Sequence, residues 1–506
     1  FKFDLEDAYL RVRRLTSYPG SEGDLQITPA ADRIVFSATV DNERSLVSVD
    51  RKGEDRKVLQ AGGVSSVGVS LTGDKVTFVR AGAASTVPVK GGKVEAVAID
   101  APITIDIPKQ QRQKFLEAAR ILGTRFYHNT MKGLDWAGLT RRYLSLAMQT
   151  RTSEEFNAVV AMLFGELNGS HTGISGGGAA PGPKPAVGML GVSVAPTDAG
   201  FRVLSVLQGS PADQDASRLD IGDVIIAVDG VKVTEVAGVE GEAREGRAAV
   251  PDFSLVMLGK AGKETLLEVE RADPERPRFV LIVPLSNTAF VDVAYRAEIR
   301  RRQRLVETLS GGKLGYLHIR SMGDASVRDF ERDIFAAGHG KDGLIIDVRD
   351  NGGGYTTDIL LASLTAPAHA KTAPRGVDPL AVPADTYPRD RRLIYAFARP
   401  INVLINENSF SNAEVFAHAI KTIKRGTLVG TKTFGGVIST GATSLIDGTT
   451  VRVPGRGWWL PDGNEMENNG ASPDVDVPQR PDDEVAGRDA QIEAAVKELL
   501  GRVGTK

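Results

Sequence analysis

Over residues 1–100 the chain alternates apolar and polar positions in steps of two. Ile34-Val35-Phe36 follows Asp32-Arg33, and Val76-Thr77-Phe78 follows Asp74-Lys75, an offset of 42 residues. Each is followed by a second strand-like run, at 46–49 and 87–89. A repeat of ~40–45 residues built from short strands predicts propeller blades. Two blades cannot close a ring, and unclosed blades leave strand edges bare; a small β-domain is the alternative. From residue 104 the period changes. Apolar spacings of three and four over 111–123, 136–149 and 153–167 predict helices, the third opening on Ser153-Glu154-Glu155. This segment ends at Asn168-Gly169-Ser170-His171-Thr172-Gly173, and a linker rich in Gly, Ala and Pro follows at 176–186. Beyond 288, strand runs at 315–319, 343–348, 401–406 and 427–430 alternate with helical runs at 356–364 and 411–424. Alternation of this kind predicts crossover units and a buried sheet, and 488–503 predicts a closing amphipathic helix.

Residues 187–286 read as a small β-rich module. Gly188-Met189-Leu190-Gly191-Val192 is followed by Gly209-Ser210-Pro211-Ala212, then Leu219-Asp220-Ile221-Gly222-Asp223-Val224-Ile225 and Ala227-Val228-Asp229-Gly230, with a last strand at 265–269. Four motifs in this order resemble a PDZ domain. The resemblance implies that the loop Met189, Leu190, Gly191 and Val192 offers backbone N–H groups to a peptide that adds as a strand. A PDZ fold used only for internal packing is the bland alternative. The domain organisation is therefore read as 1–100, 101–180, 186–287 and 288–506.

Composition narrows the functions. Apolar residues are 42% and charged residues 25% of 506, so a core of useful size forms. Lys plus Arg is 62 against 64 Asp plus Glu, a net charge of −2. That leaves no global basic field for nucleic acid or an anionic membrane. The absence of cysteine removes disulfides, thiolate metal sites and a Cys nucleophile. It leaves the compartment open. No apolar run approaches the ~18 residues of a membrane span. The chain opens Phe1-Lys2-Phe3-Asp4, with neither an initiator Met nor a signal peptide, and reads as a piece of something longer.

Two stretches carry candidate chemistry. In Asn408-Ser409-Phe410-Ser411-Asn412-Ala413-Glu414 a strand ends and a helix begins. Ser411 and Glu414 have capping-box spacing. The same position places the Ser411 hydroxyl where a helix dipole and a free amide, that of Asn412, favour a developing oxyanion. In Asp347-Val348-Arg349-Asp350-Asn351-Gly352-Gly353-Gly354 a buried strand runs into three glycines. These form either a turn needing positive φ or a second backbone donor at the carboxyl edge of the sheet. A phosphate loop does not fit, since G-x-G-x-x-G and a Walker Lys are both absent. A base for Ser411 must come from six histidines or a Lys. His418 lies two turns down the same helix, out of reach; His318 sits in a strand; His171 lies in a polar, Gly-flanked turn. Spacing alone does not choose among them. H-E-x-x-H is absent, so no metal or cofactor is expected. Paired glycosidase acids are not excluded among 64 acidic residues, whereas the G-x-S-x-G elbow of other α/β hydrolases is missing.

The ordered set Ser170-His171, the PDZ module, the 347–354 run, Ser411-Asn412 and the closing run from Asn464 to Val475 resembles the tricorn protease family. The wider group is the tail-specific, or C-terminal-processing, serine peptidases. The resemblance covers roughly 104–480. It implies a multidomain α/β and β fold with an incomplete propeller-like start and a crotonase-like α/β catalytic core. It implies a serine endopeptidase or oligopeptidase with Ser411 as nucleophile, His171 as general base, and Ser170 and Glu467 completing a tetrad. The amides of Gly353 and Asn412 would form the oxyanion hole. Ser–Lys relatives carry a Lys after a Thr-Phe-Gly run. Here Gly436 follows Thr433-Phe434-Gly435 and Lys432 precedes it, which favours the His-based branch. Asn412 stands where tricorn carries an acidic residue, so any role of that side chain is in doubt. Implied partners are peptides or unfolded proteins, with homo-oligomers by analogy. The compartment reads as periplasmic or exported, the cytoplasm being the alternative. A non-catalytic peptide-binding relative is the competing function. The stretch 365–399, rich in Pro, Ala and charge, is expected to line or cover the site; Trp458 and Trp459 read as buried core, with a pocket lining as the alternative.

Overall fold

The computed structural model describes residues 6–41, 43–102, 104–177, 185–236, 252–276, 278–367, 370, 372–382 and 396–504. His369, most of the 176–186 linker and much of the 365–399 stretch, with Asp385 and Arg389, lie outside the described residues. The chain divides into two compact units, Phe1–Asp106 and Ile107–Lys506.

In the first unit each repeat forms a four-stranded antiparallel sheet. One holds β1 (Gly23–Ile27), β2 (Arg33–Val40), β3 (Glu43–Asp50) and β4 (Lys57–Ala61). The other holds β5 (Ser65–Val69), β6 (Lys75–Arg80), β7 (Ala83–Pro88) and β8 (Glu95–Ala96). Val35, Leu46 and Leu59 of one sheet share a core with Val76, Phe78 and Val87 of the other. The sheets do not close into a ring.

The second unit opens with α1 (Ile107–Arg125), α2 (Trp136–Ala147) and α3 (Ser153–Gly165). At the head of α3, Thr152 and Glu155 exchange bonds as a capping box. The strand β9 (Gly173–Ser175) follows directly. The next module comprises β10 (Val192–Pro196), β11 (Phe201–Val206), β12 (Val224–Val228), β13 (Val231–Lys232), α4 (Val233–Val236), α5 (Phe253–Val256), β14 (Thr265–Glu270) and β15 (Phe279–Ile282). Its sheet runs β10-β11-β12-β14-β15 with β13 beside β12, leaving β10 as an edge strand. The module extends past the strand at 265–269. In β15, Val280 and Ile282 turn into the core while Phe279 and Leu281 face out.

A five-stranded sheet is parallel throughout, in the order β16 (Leu314–His318), β17 (Gly343–Asp347), β18 (Ile401–Ile405), β19 (Thr427–Gly430) and β22 (Val475–Asp476). Strands β20 (Ile438–Ser444) and β21 (Thr450–Gly457) precede β22 and pair with β9 in a separate sheet. Both faces of the parallel sheet are covered, which is why its strands read as continuous apolar runs. Leu344 and Ile346 face α7 (Asp324–Gly338), α8 (Thr357–Thr365) and α9 (Asn412–Thr422). Ile345 and Leu404 face α6 (Asn287–Ser310) and α11 (Ala490–Val503), which is preceded by α10 (Pro481–Val485). The small sheet packs Val451 and Val453 of β21 against Phe115, Leu122 and Phe156 of α1 and α3. That packing carries the turn before β9 to the carboxyl edge of the parallel sheet. Among the described residues no helix is long and apolar enough to cross a membrane.

Candidate active site

Ser411 occupies the turn between β18 and α9. Its backbone is strained, at φ 58° and ψ −120°, a conformation that persists only where surroundings over-determine it. Phe410 N–H donates to the Asn351 carbonyl at 2.9 Å, and Ser409 Oγ donates to the Val348 carbonyl at 2.8 Å. These bonds lash the Ser411 turn to the loop after β17. Glu414 is fully buried and holds the turn from within the helix. It accepts from Ser411 N–H (3.0 Å), Thr433 Oγ1 (2.6 Å) and the N–H groups of Gly435 (2.5 Å) and Gly436 (2.8 Å). Burial raises the Glu414 pKa, and the four donors work against that rise. Only half of the expected capping box is used for capping: Glu414 N–H donates to the Ser411 carbonyl, 2.9 Å away. The Ser411 hydroxyl turns instead to His171, with Oγ 3.0 Å from Nε2.

His171 sits at the end of the turn before β9, also at positive φ (59°). Its ring stacks on Phe410, with centroids 4.7 Å apart and planes 13° off parallel. Nδ1 lies 2.8 Å from Ser170 Oγ, which donates to Glu467 Oε2 at 2.9 Å. Glu467 is buried and also accepts from Ser170 N–H (2.6 Å) and Val437 N–H (2.7 Å). Proton counting sets the tautomer. The Ser170 hydroxyl has one proton and gives it to the carboxylate, so its lone pair accepts from Nδ1–H. Nε2 is then the free base, facing the Ser411 hydroxyl. Burial lowers the His171 pKa to about 4, with a smaller contribution from the Arg452 cation. The imidazole is therefore neutral at ordinary pH.

Gly353 lies hard against this turn. It has φ +89°, and a Cβ there would meet Ser411 Cβ at 2.6 Å and the Phe410 carbonyl oxygen at 2.7 Å. Its N–H donates to Asn351 Oδ1 at 2.9 Å. The Asn412 N–H, in the first turn of α9, has no acceptor among the described residues. The Asn412 side chain ties α8 to α9, because its Oδ1 accepts from Thr357 N–H (3.0 Å) and lies 3.1 Å from Thr357 Oγ1. The cleft in front of Ser411 is a cavity of about 620 Å³ whose lining includes His171, Gly353, Asp358, Arg452 and Trp458. Trp458 is therefore a half-buried wall of the cleft and not core, its Nε1 donating to Ser439 Oγ (2.9 Å). Trp459 is 51% exposed. Both departures follow from where β21 stops: it ends at Gly457, and the two tryptophans come directly after it, beside the cleft.

The other described histidines are engaged elsewhere. His418 Nε2 lies 3.2 Å from the Asn469 carbonyl, and His318 sits between Tyr295 Oη (2.9 Å) and the Arg349 carbonyl (3.1 Å). In the β10 module, Met189 N–H is spent on the Leu285 carbonyl at 2.9 Å, because Met189 and Leu285 pair as a bridge. That amide is thus not available to a peptide. The N–H groups of Leu190 and Gly191 have no acceptor among the described residues. Sequence reasoning misses Arg452, whose outward place between the buried Val451 and Val453 is the only signal that could have found it.

The α/β domain thus presents the Ser411 hydroxyl to a neutral imidazole at the head of a helix. Residues 313–477 match peptidase family S41, residues 107–165 the tricorn protease C1 domain and residues 188–249 the PDZ domain. The chain thus carries peptidase family S41, tricorn protease C1 and PDZ domains. It is 31% identical over 405 residues to tricorn protease homolog 1 of Streptomyces coelicolor, covering 78% of this chain and 35% of that protein. It is 24% identical over 516 residues to the tricorn protease of Thermoplasma acidophilum, covering 99% of this chain and 46% of that protein. The crystal structure of the tricorn protease shares the fold, with a TM-score of 0.78 at 23% identity over 95% of this chain and 47% of that one. The chain therefore spans less than half the length of these relatives.

Proposed function

We propose that this chain hydrolyses peptide bonds through an acyl-enzyme on Ser411, with His171 as general base. The observation that carries this reading is the unbroken chain of contacts Ser411 Oγ, His171 Nε2, His171 Nδ1, Ser170 Oγ and Glu467 Oε2, each link 2.8–3.0 Å. Ser411 Oγ attacks the carbonyl carbon as its proton passes to Nε2. The imidazolium then gives that proton to the leaving amine, and water, activated by the same nitrogen, releases the acyl group. Ser170 and Glu467 orient the ring and stabilise its charge. The Asn412 amide supplies one oxyanion donor. The Gly353 amide, which donates to Asn351 Oδ1, supplies the second by exchanging that acceptor for the oxyanion. Peptides or unfolded proteins are the substrates this chemistry and the cleft suit. We also read the two N-terminal sheets as propeller blades, and Leu190, Gly191 and Val192 beside the edge strand β10 as a peptide-docking loop.

A fluorophosphonate probe tests the reading. Native protein is expected to label on Ser411, while Ser411→Ala and heat-denatured protein stay unlabelled. Failure of the native protein to label would favour a peptide-binding relative without catalysis.

The pH profile is a second test. A base with a pKa of about 4 is neutral above that value and loses its lone pair as pH falls through it. The acid limb of kcat/KM is expected near pH 4. A limb at 6.5 or above would contradict the buried, neutral His171.

A further inference from the structure

The cleft beside Ser411 is lined by one cation and one anion among the described residues, and they stand on different walls. Arg452 projects from β21, opposite Gly173 of β9, two residues after His171. Its neighbours Val451 and Val453 point into the core against α1 and α3, so alternation turns Arg452 to the opposite face. Its side chain runs over Gly173, where a Cβ would lie 3.6 Å from Arg452 Cδ. The guanidinium has no carboxylate or carbonyl partner among the described residues. Asp358 stands on α8, next to Thr357, which bonds Asn412 on the oxyanion side.

The proposed reaction gives these walls direction. The proton taken from Ser411 must be returned by Nε2 to the leaving nitrogen, so the leaving segment lies against His171. The residues flanking His171 are those of the β9–β21 wall, and Arg452 is the cation on it. An unpaired guanidinium in a cleft is a carboxylate receptor with a forked donor geometry. Resting on the peptidase reading, we propose that Arg452 forms a subsite for the leaving side of the substrate, binding an acidic side chain at the first or second residue after the scissile bond. The enzyme would then favour cuts that leave Asp or Glu at the first or second position after the scissile bond.

Cleavage of a complex peptide pool, with cut sites mapped by mass spectrometry, tests this. Protein is normalised by probe-labelled Ser411. Wild type is expected to enrich Asp and Glu at these two positions by about five- to tenfold, the scale of a partly exposed charge pair, with the enrichment shrinking at high salt. Arg452→Gln should abolish the enrichment, and Arg452→Lys should keep part of it. That split separates charge from the packing of the side chain over Gly173. Synthetic peptides with Glu or Gln after the scissile bond, each with free or amidated ends, identify the carboxylate. Dependence on Arg452 only for free ends would overturn the proposal in favour of terminus reading. Cuts without acidic enrichment would overturn the subsite alone. No cleavage and no probe labelling would overturn the subsite together with the peptidase reading.

Discussion

Ser411→Ala and His171→Ala are each expected to lower kcat/KM for peptides by on the order of 10⁴–10⁶, and the double variant no further. The two groups act on one proton. Without the hydroxyl there is nothing to deprotonate; without Nε2, 3.0 Å away, the hydroxyl keeps its proton at every accessible pH. Effects of residues that work as a unit do not add. Ser170→Ala and Glu467→Gln should cost less, about 10²–10⁴, because they act through the ring they orient. Glu467→Gln carries a further cost, since the buried carboxylate also accepts the N–H groups of Ser170 and Val437. Circular dichroism and thermal melting would separate that cost from lost chemistry. The critical measurement is the double-mutant comparison by steady-state kinetics. If the two single losses multiply in the double variant, Ser411 and His171 do not share a step.

The parts of this arrangement that the sequence reveals are local ones. The parallel sheet is legible because burial on both faces writes continuous apolar runs, and α3 because its apolar spacing and its Ser153-Glu154-Glu155 start lie within one short segment. The Ser411 turn is legible as a strand-to-helix junction, although spacing alone favours capping over catalysis. The structure separates them: the hydroxyl faces His171, while the cap is backbone and Glu414. What stays hidden is every relation between distant segments. Nothing in the turn around Ser170 says that Glu467 closes on it, and only a family resemblance offers that pair. Met189 reads as a free donor because Leu285, its acceptor, lies outside the motif. Trp458 reads as core because an apolar ring has the same composition in a core as on a cleft wall. Arg452 is invisible for the converse reason: its outward phase is readable, but which surface lies opposite is decided by β9 and β21 pairing across the chain.

The motif from Asp347 to Gly354 shows what such a relation is worth, and Arg349→Met is expected to destabilise the protein by about 3–5 kcal/mol. Arg349 is 4% exposed. Nε lies 3.0 Å from Asp347 Oδ1 and Nη2 2.7 Å from Asp347 Oδ2. Nη1 and Nη2 each lie 3.0 Å from an oxygen of Asp489, and Nη1 is 2.9 Å from Gln491 Oε1. The guanidinium thus joins the end of β17 to the head of α11, where Asp489 also accepts the Ile492 N–H at 2.9 Å. Asp347 has no exposed surface, and burial would raise its pKa; the Arg349 cation overrides this and holds the carboxyl below its ordinary range. A folded pKa below the unfolded one contributes stability above the unfolded value and loses it as pH falls toward the folded one. Removing Arg349 strands the buried carboxylate with Tyr316 Oη at 2.7 Å and Arg302 Nη1 at 3.2 Å as its remaining side-chain partners. Met fills much of the same volume, so the loss reports charge more than cavity. The apparent Tm should fall by roughly 10 °C, and Asp347→Asn in the same chain should restore part of it by removing a buried charge left with Arg302 as its one remaining cation among the described residues. Because Asn351 and Gly353 follow directly, probe labelling of Ser411 should slow even below the melting transition. An unchanged Tm would mean that Asp347 finds water or another donor when Arg349 is gone, and that the buried pair is not what fixes the loop beneath Ser411.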